Sequence, residues 1–227
     1  MSLQITNEDN MLMMARYPDN HFDLILTDPP FGMEFKSGRR KLKHEKIKDD
    51  DNLFWLPEFL KETHRIAKPD AHHYYFCSNH FVDIFVSEIK KAGLPYKNLL
   101  VWEKNNFGMG DLLGDYAPQY EFIVFCSNGQ KKLNGRRDSN IIKSKKTNNE
   151  LHPTQKPEYL MRYLLSKSSE VNDIVVDPFM GSGTTAVACS IENRQFVGCD
   201  IEKKYFDVAD RRIKQLESQH TLFGIAS

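Results

Sequence analysis

The sequence predicts an α/β fold: a doubly wound, mostly parallel sheet of seven strands with an antiparallel pair at one edge. Three observations predict it. Short apolar runs recur along the chain, and most are apolar throughout instead of alternating, as in strands covered on both faces. Segments of helical period separate most of these runs, the signature of a strand–helix–strand progression. Two successive runs have no such segment between them and therefore read as antiparallel neighbours.

The strands fall at residues 3–6, 23–27, 73–77, 99–102, 121–126, 173–176 and 196–199, each bounded by turn or charged residues. The pair without a helix between them is 99–102 and 121–126. Residues 53–67 place Leu53, Leu56, Leu60 and His64 on one helical face, and 80–92 do the same with Phe81, Ile84, Phe85 and Ile89. A third helix, 157–166, opens on Pro157 at the favoured first position and buries Leu160, Met161 and Leu164. Residues 184–193 and 203–217 complete the set. Residues 128–150 are polar and of little apolar periodicity, an extended surface element.

With 227 residues the chain is read as a single domain, 1–227, and 40 % hydrophobic against 27 % charged residues is an ordinary globular balance. No apolar run approaches the roughly 18 residues of a membrane helix. The N-terminus lacks the basic-then-apolar pattern of a signal peptide. Cys77, Cys126, Cys189 and Cys199 form no CxxC pair, so neither a disulfide framework nor a zinc site is expected, and the location expected is cytoplasmic. His72, His73, Cys77 and His80 do not read as a metal cluster, because alternation sends His72 and His73 to opposite faces. The formal charge is zero, from 31 basic and 31 acidic residues, but it is unevenly distributed. Residues 36–48 and 131–146 are strongly basic, a pattern that suits either a solvated loop or a nucleic-acid-facing surface.

Two segments carry chemistry. In Asp177-Pro178-Phe179-Met180-Gly181-Ser182-Gly183-Thr184-Thr185 a strand runs into a glycine turn that opens a helix, bringing backbone N–H groups close to a ligand. A second strand ends in Asp200, 23 residues after Asp177, where a carboxylate can accept ribose hydroxyls. Together they indicate a nucleoside-containing cofactor. Residues 181–186 also satisfy the loose dinucleotide pattern G-x-G-x-x-A, so an NAD-linked oxidoreductase is one reading. The other segment, Thr27-Asp28-Pro29-Pro30-Phe31, ends a strand in an acid, two prolines that fix the backbone, and an aromatic ring. A strand-terminating turn would account for it in isolation.

Taken together, these segments resemble the amino-methylating DNA methyltransferases that use S-adenosylmethionine. Residues 27–31 resemble their catalytic motif, 177–185 their cofactor loop, and His152-Pro153-Thr154-Gln155-Lys156-Pro157 the motif preceding that loop. The order, catalytic motif first and cofactor loop last, resembles the permuted beta class. The resemblance spans nearly the whole chain and implies a Rossmann-like methyltransferase fold, with S-adenosylmethionine as cofactor and S-adenosylhomocysteine as product.

It implies that Asp28 and the Pro29 carbonyl accept the N–H bonds of an exocyclic amino group, localising its lone pair as it is methylated. Phe31 would stack on a base extruded from the duplex, with Pro30 fixing the turn. Cofactor contacts implied are Asp9, Asp28, Asp177, Pro178, Phe179, Gly181, Gly183, Asp200 and Ile201, with Thr154, Gln155, Lys156, Thr184 and Thr185 toward the methionine carboxylate. At Asp9 the family's usual preceding glycine is replaced by Glu8. Asp before Pro-Pro favours adenine N6, with cytosine N4 the alternative. DNA, double-stranded, is the implied partner, and a homodimer and a cognate restriction enzyme are compatible with it. Residues 36–51 are expected to form an active-site and DNA loop, and about 105–150 a short target-recognition region. Arg39, Arg40, Lys41, Lys43, Arg136, Arg137, Lys145 and Lys146 are the expected phosphate contacts. A DNA-binding module without catalysis is the remaining competitor.

Overall fold

The structure, a computed structural model, describes residues 2–30, 53–108, 113–147 and 154–222. In chain order the elements are β1 (Leu3–Thr6), α1 (Asn10–Ala15), β2 (Phe22–Thr27), α2 (Leu56–Ile66), β3 (Ala67–Cys77), α3 (Val82–Lys91), β4 (Tyr96–Glu103), β5 (Tyr120–Ser127), β6 (Ile141–Lys143), α4 (Glu158–Ser168), β7 (Ile174–Asp177), α5 (Thr184–Ile191), β8 (Gln195–Cys199) and α6 (Lys203–Leu222). The strands form one sheet in the order β1-β8-β7-β2-β3-β5-β4-β6. β5 alone runs against the others, pairing antiparallel with β3 and β4.

The doubly wound expectation holds, with two differences. The sheet has eight strands, because Ile141–Lys143 pairs in parallel with β4 inside the segment read as a polar surface element. Three residues with only Ile142 buried carry too little apolar signal to be seen in sequence. The antiparallel pair β4–β5 is consequently not at the edge, since β6 covers β4. A short helix, α1, was also not expected. Its N-cap is Asp9, whose Oδ1 accepts the backbone N–H groups of Met11 at 2.8 Å and Leu12 at 3.3 Å.

Both faces of the sheet are covered. Met13, Met14, Leu56, Phe59, Leu60, Phe85 and Ile89 from α1–α3 pack with Phe22, Ile25, Tyr75 and Val124 on one side. Leu160, Leu164, Ala188, Ala209 and Ile213 from α4–α6 pack with Leu24, Leu26, Tyr74, Phe125 and Val175 on the other. Ile84, expected on the buried face of α3, is 41 % exposed, whereas Phe85 and Ile89 are fully buried. The two adjacent histidines of β3 do point to opposite faces. His72 Nδ1 lies 2.8 Å from Ser168 Oγ of α4, and His73 Nε2 lies 3.0 Å from Asn128 Oδ1. All four cysteines are buried and free, and burial pushes their thiol pKa values upward.

Gly183, at the start of α5, combines a left-handed backbone (φ 77°) with close packing, since a Cβ there would lie 2.8 Å from that of Ala209 on α6. Gly183→Ala should therefore destabilise the protein by roughly 2–5 kcal/mol, summing backbone strain and overpacking. Urea unfolding checks this, and a loss under about 0.5 kcal/mol would mean that α6 gives way freely.

Candidate active site

The chain leaves β2 toward β3 on one side and β7 toward β8 on the other, so the sheet switches direction between β2 and β7. In open α/β sheets, ligands bind in the crevice outside the strand carboxyl ends at such a point. Asp28 follows β2 and Asp177 ends β7, so both acids singled out in the sequence flank that crevice.

Asp177 is a structural hub. Its Oδ1 accepts from Thr27 Oγ1 at 2.8 Å and from the Phe179 backbone at 3.1 Å, and its Oδ2 accepts from Thr185 Oγ1 at 2.5 Å. One buried carboxylate thus ties the end of β2, the glycine turn and the first turn of α5 together. Gly181 and Gly183 both take left-handed backbone, which lets the turn reverse tightly enough for Gly183 N to donate to Met180 O at 2.9 Å. Asp200, after β8, closes the crevice. It accepts from Gly181 N at 3.1 Å and Glu202 N at 2.8 Å, leaving further lone pairs. Ile201 beside it is 41 % exposed. Burial pushes the carboxyl groups of both Asp177 and Asp200 up to about 6.

At Asp28 a second cluster forms. Lys156 Nζ donates to Asp28 Oδ2 at 2.5 Å, lies 3.2 Å from Glu121 Oε2, and sits over the Phe76 ring at 4.9 Å. Glu121 Oε1 in turn accepts from Lys104 Nζ at 2.6 Å. Asp28 Oδ1 is buried and has no hydrogen-bond partner among the described residues. Burial pushes the Asp28 carboxyl up to about 6 against the pull of Lys156. Burial would raise Glu121 as well, but Lys156 and Lys104 together hold it below the ordinary range. Burial works against the Lys156 charge, yet Asp28 and Glu121 raise its pKa, so it stays an ammonium.

The other expected residues have these partners in the protein itself. Lys156, expected at the methionine carboxylate, is instead 6 % exposed and held by two carboxylates. Thr185 is spent on Asp177, and Thr184 Oγ1 lies 3.4 Å from Arg212 Nη1, which also donates to Ser182 O at 2.6 Å. Asp9 commits its Oδ1 to capping α1. Gln155 accepts at its carbonyl from Thr147 Oγ1 at 2.9 Å, and Thr154 precedes it on the same approach to α4. Pro178 is buried, and its carbonyl accepts from Cys199 Sγ. The Phe179 ring packs against Trp55 and Phe59 at 5.6 and 5.2 Å.

The basic run of 131–146 divides. Lys145 and Lys146 are exposed beyond β6, at the crevice end, where Lys146 N donates to Asn105 Oδ1. Arg136 and Arg137 lie at the opposite end of the sheet, at the C-terminus of α4, where the Arg136 carbonyl accepts from Lys167 Nζ at 2.8 Å. Arg137 there lines a cavity of about 680 Å³ with Tyr74, Phe125 and Tyr163. Of the expected phosphate contacts in this run, Lys145 and Lys146 thus lie at the Asp28 end of the sheet and Arg136 and Arg137 at the other. Phe31, Arg39, Arg40, Lys41 and Lys43 lie outside the described residues. Glu121 and Lys104 escaped sequence reading, although an acid opening the apolar run Phe122–Cys126 was the available signal.

The donor set suits a nucleoside cofactor carrying a positive centre. Asp200 has lone pairs left for ribose hydroxyls, Ile201 offers an exposed apolar surface beside it, and Asp28 Oδ1 is a buried carboxylate atom at the same crevice with no hydrogen-bond partner among the described residues. Fold and site define a class: a doubly wound protein with a nucleoside-cofactor loop at the switch point of its sheet. The comparisons narrow it further. The N6_N4_Mtase family model, described as DNA methylase, matches residues 22–211, and the chain belongs to that family of methyltransferases acting on DNA. It is 28 % identical to the Type II methyltransferase M.BglII of Bacillus subtilis over 91 % of this chain and 67 % of that protein. It is 29 % identical to the Type II methyltransferase M.HpaI of Haemophilus parainfluenzae, over 86 % and 69 %. The crystal structure of the M1.HpyAVI–SAM complex superposes with a TM-score of 0.71 at 27 % identity, covering 92 % of this chain and 99 % of that one. The PvuII cytosine-N4-specific DNA methyltransferase shares the fold with a TM-score of 0.76 at 15 % identity, over 96 % and 92 %. The NAD-linked reading of the glycine loop falls with the family assignment. Among the described residues no helix is long and apolar enough to cross a membrane.

The raised carboxyl of Asp200 has a measurable sign. Its folded value of about 6 lies above the ordinary 3.8, so between these pH values the native state holds more proton than the unfolded chain. Its contribution to stability is then present at low pH and falls as pH rises through that window. Urea unfolding of wild type and Asp200→Asn, at about pH 5 and about pH 7.5, should show the wild type losing stability relative to the variant at the higher pH. A constant difference would mean that Asp200 ionises at no cost.

Proposed function

We propose that this DNA methyltransferase transfers the methyl group of S-adenosylmethionine to N6 of adenine in double-stranded DNA. The observation that carries the reading is Asp28: Oδ2 occupied by Lys156, Oδ1 buried without a hydrogen-bond partner among the described residues, at the end of β2 beside the glycine turn. Bound S-adenosylmethionine supplies an electrophilic methyl group. Asp200 accepts its ribose hydroxyls, Ile201 packs on its adenine, and the turn from Asp177 through Gly183 shapes the wall against which it lies. Asp28 Oδ1 accepts one N–H of the target amino group and the Pro29 carbonyl accepts the other, drawing the nitrogen lone pair out of conjugation. Oδ1 then holds the proton that the nitrogen sheds after methylation, which a carboxylate with a pKa near 6 can do while starting ionised at neutral pH.

The target base is flipped from the duplex and stacked on Phe31. Residues 36–51, with Arg39, Arg40, Lys41 and Lys43, together with Lys145 and Lys146, contact phosphates and supply affinity without reading sequence. The recognition region lies within about 105–150. The motif order is that of the permuted beta class. The two Type II relatives support a role in restriction–modification beside a cognate endonuclease.

The test is mass spectrometry of nucleosides from mixed-sequence DNA incubated with the protein and S-adenosylmethionine. N6-methyladenine is expected, whereas N4-methylcytosine would move the assignment to the other amino base. Asp28→Ala should lower transfer by a factor of about 100 or more while DNA retention changes little. Equal loss of both would remove Asp28 from the chemistry.

A further inference from the structure

Four charged side chains alternate in sign across the crevice end of the sheet: Asp28 after β2, Lys156 before α4, Glu121 on β5 and Lys104 after β4. Of these, the proposed reaction uses Asp28 directly. The other three are costly to keep: side-chain exposure is 6 % for Lys156, 15 % for Lys104 and 23 % for Glu121, and a charge buried to that extent is destabilising unless paired.

We propose that Glu121, braced by Lys104, is a positioning residue: it holds Lys156 on Asp28 Oδ2, so that Oδ1 is the carboxylate atom offered to the target amino group. The inference rests on the role given to Asp28 above.

The geometry makes the argument. An ammonium facing one carboxylate can bridge both oxygens. Facing two carboxylates, Lys156 donates to Asp28 Oδ2 at 2.5 Å and stands as an ion pair 3.2 Å from Glu121 Oε2, which accepts no hydrogen bond among the described residues. Glu121 cannot follow the ammonium toward Asp28, because its Oε1 is anchored by Lys104 Nζ at 2.6 Å. Lys104 is itself fixed. Its ammonium lies 5.0 Å from the Trp102 ring centre, its backbone N–H donates to Gln119 O at 2.8 Å, and its carbonyl accepts from Gln119 Nε2 at 2.9 Å. Trp102 pairs with Glu121 across the β4–β5 ladder. The bracing pair thus sits where β4 ends and β5 begins, Glu121 two strands and Lys104 three strands from β2 in the sheet.

The groups that act on the Asp28 charge come from every neighbouring element. Lys156 and Lys104 favour the carboxylate and Glu121 opposes it. Asp177 of β7 and Cys77 of β3 interact with it as well, the latter as a neutral thiol. Removing the charge of Glu121 or of Lys104 therefore pushes the Asp28 titration in opposite directions.

The experiment is a ¹³C carboxyl NMR titration of the full-length protein, with Asp28 assigned by the signal missing in Asp28→Asn. Glu121→Gln should lower the Asp28 midpoint and Lys104→Met should raise it, each by about 0.5–1 unit. Where active enzyme is assayed, Glu121→Gln should lower kcat about tenfold and leave KM for S-adenosylmethionine within about twofold. Midpoints that stay at the wild-type value, or move the same way in both variants, would overturn the proposal and leave the two residues a structural role. If Glu121→Gln does not fold, Lys104→Met alone decides by whether the midpoint rises. The titration needs no turnover, so a protein inactive on DNA would fail the reading of Asp28 and not this coupling, and the converse holds.

Discussion

The carboxylate of Asp177 is the constraint on which the active end of this sheet depends. β2 and β7 share only two residue pairs in their ladder, Leu24 with Val175 and Ile25 with Val176. Beyond them the strands are joined through side chains, by the Thr27 hydroxyl on Asp177. The same carboxylate fixes the glycine turn and the first turn of α5. The strand carrying Asp28 and the loop facing the cofactor are therefore positioned by one buried group. That group gives three of its roughly four acceptor sites to the protein, and those three bonds hold the two halves in register.

Charge burial around the crevice has a common logic. Asp28, Asp177 and Asp200 are each pushed up to about 6 because they leave water. Asp177 offsets this with three internal donors, Asp200 with two backbone N–H groups, and Asp28 with Lys156 on one oxygen only. The oxygen left over is where a ligand donor gains most, since a buried acceptor without a partner carries its full desolvation cost.

Much of this was legible in the sequence, and the reasons divide cleanly. Wholly apolar runs gave the parallel strands, because burial on both faces leaves no polar alternation to confuse them. The acids of the crevice were legible because glycine and proline punctuate the chain beside them, at Gly181, Gly183, Pro29 and Pro30. β6 was hidden because three residues paired on one side hold too little apolar signal. The place of Lys156 was hidden because nothing local marks which of several acids an ammonium reaches, and Glu121 stands 35 positions away in sequence, the difference of 156 and 121. The split of the basic run was hidden for a related reason: composition ignores that β6 separates Arg136 and Arg137 from Lys145 and Lys146.

The four cysteines give the molecule a built-in clock for its own opening. Cys77 and Cys126 lie on the neighbouring strands β3 and β5, Cys199 ends β8, and Cys189 lies in α5. Their thiols are buried and held neutral, so an alkylating reagent meets no thiolate while the sheet is closed. Labelling then requires exposure, and its rate at each cysteine measures how often that part of the protein comes apart. The spread of the four sites over both halves of the sheet separates local fraying at β8 from opening of the β3–β5 ladder. No probe has to be introduced to see the difference.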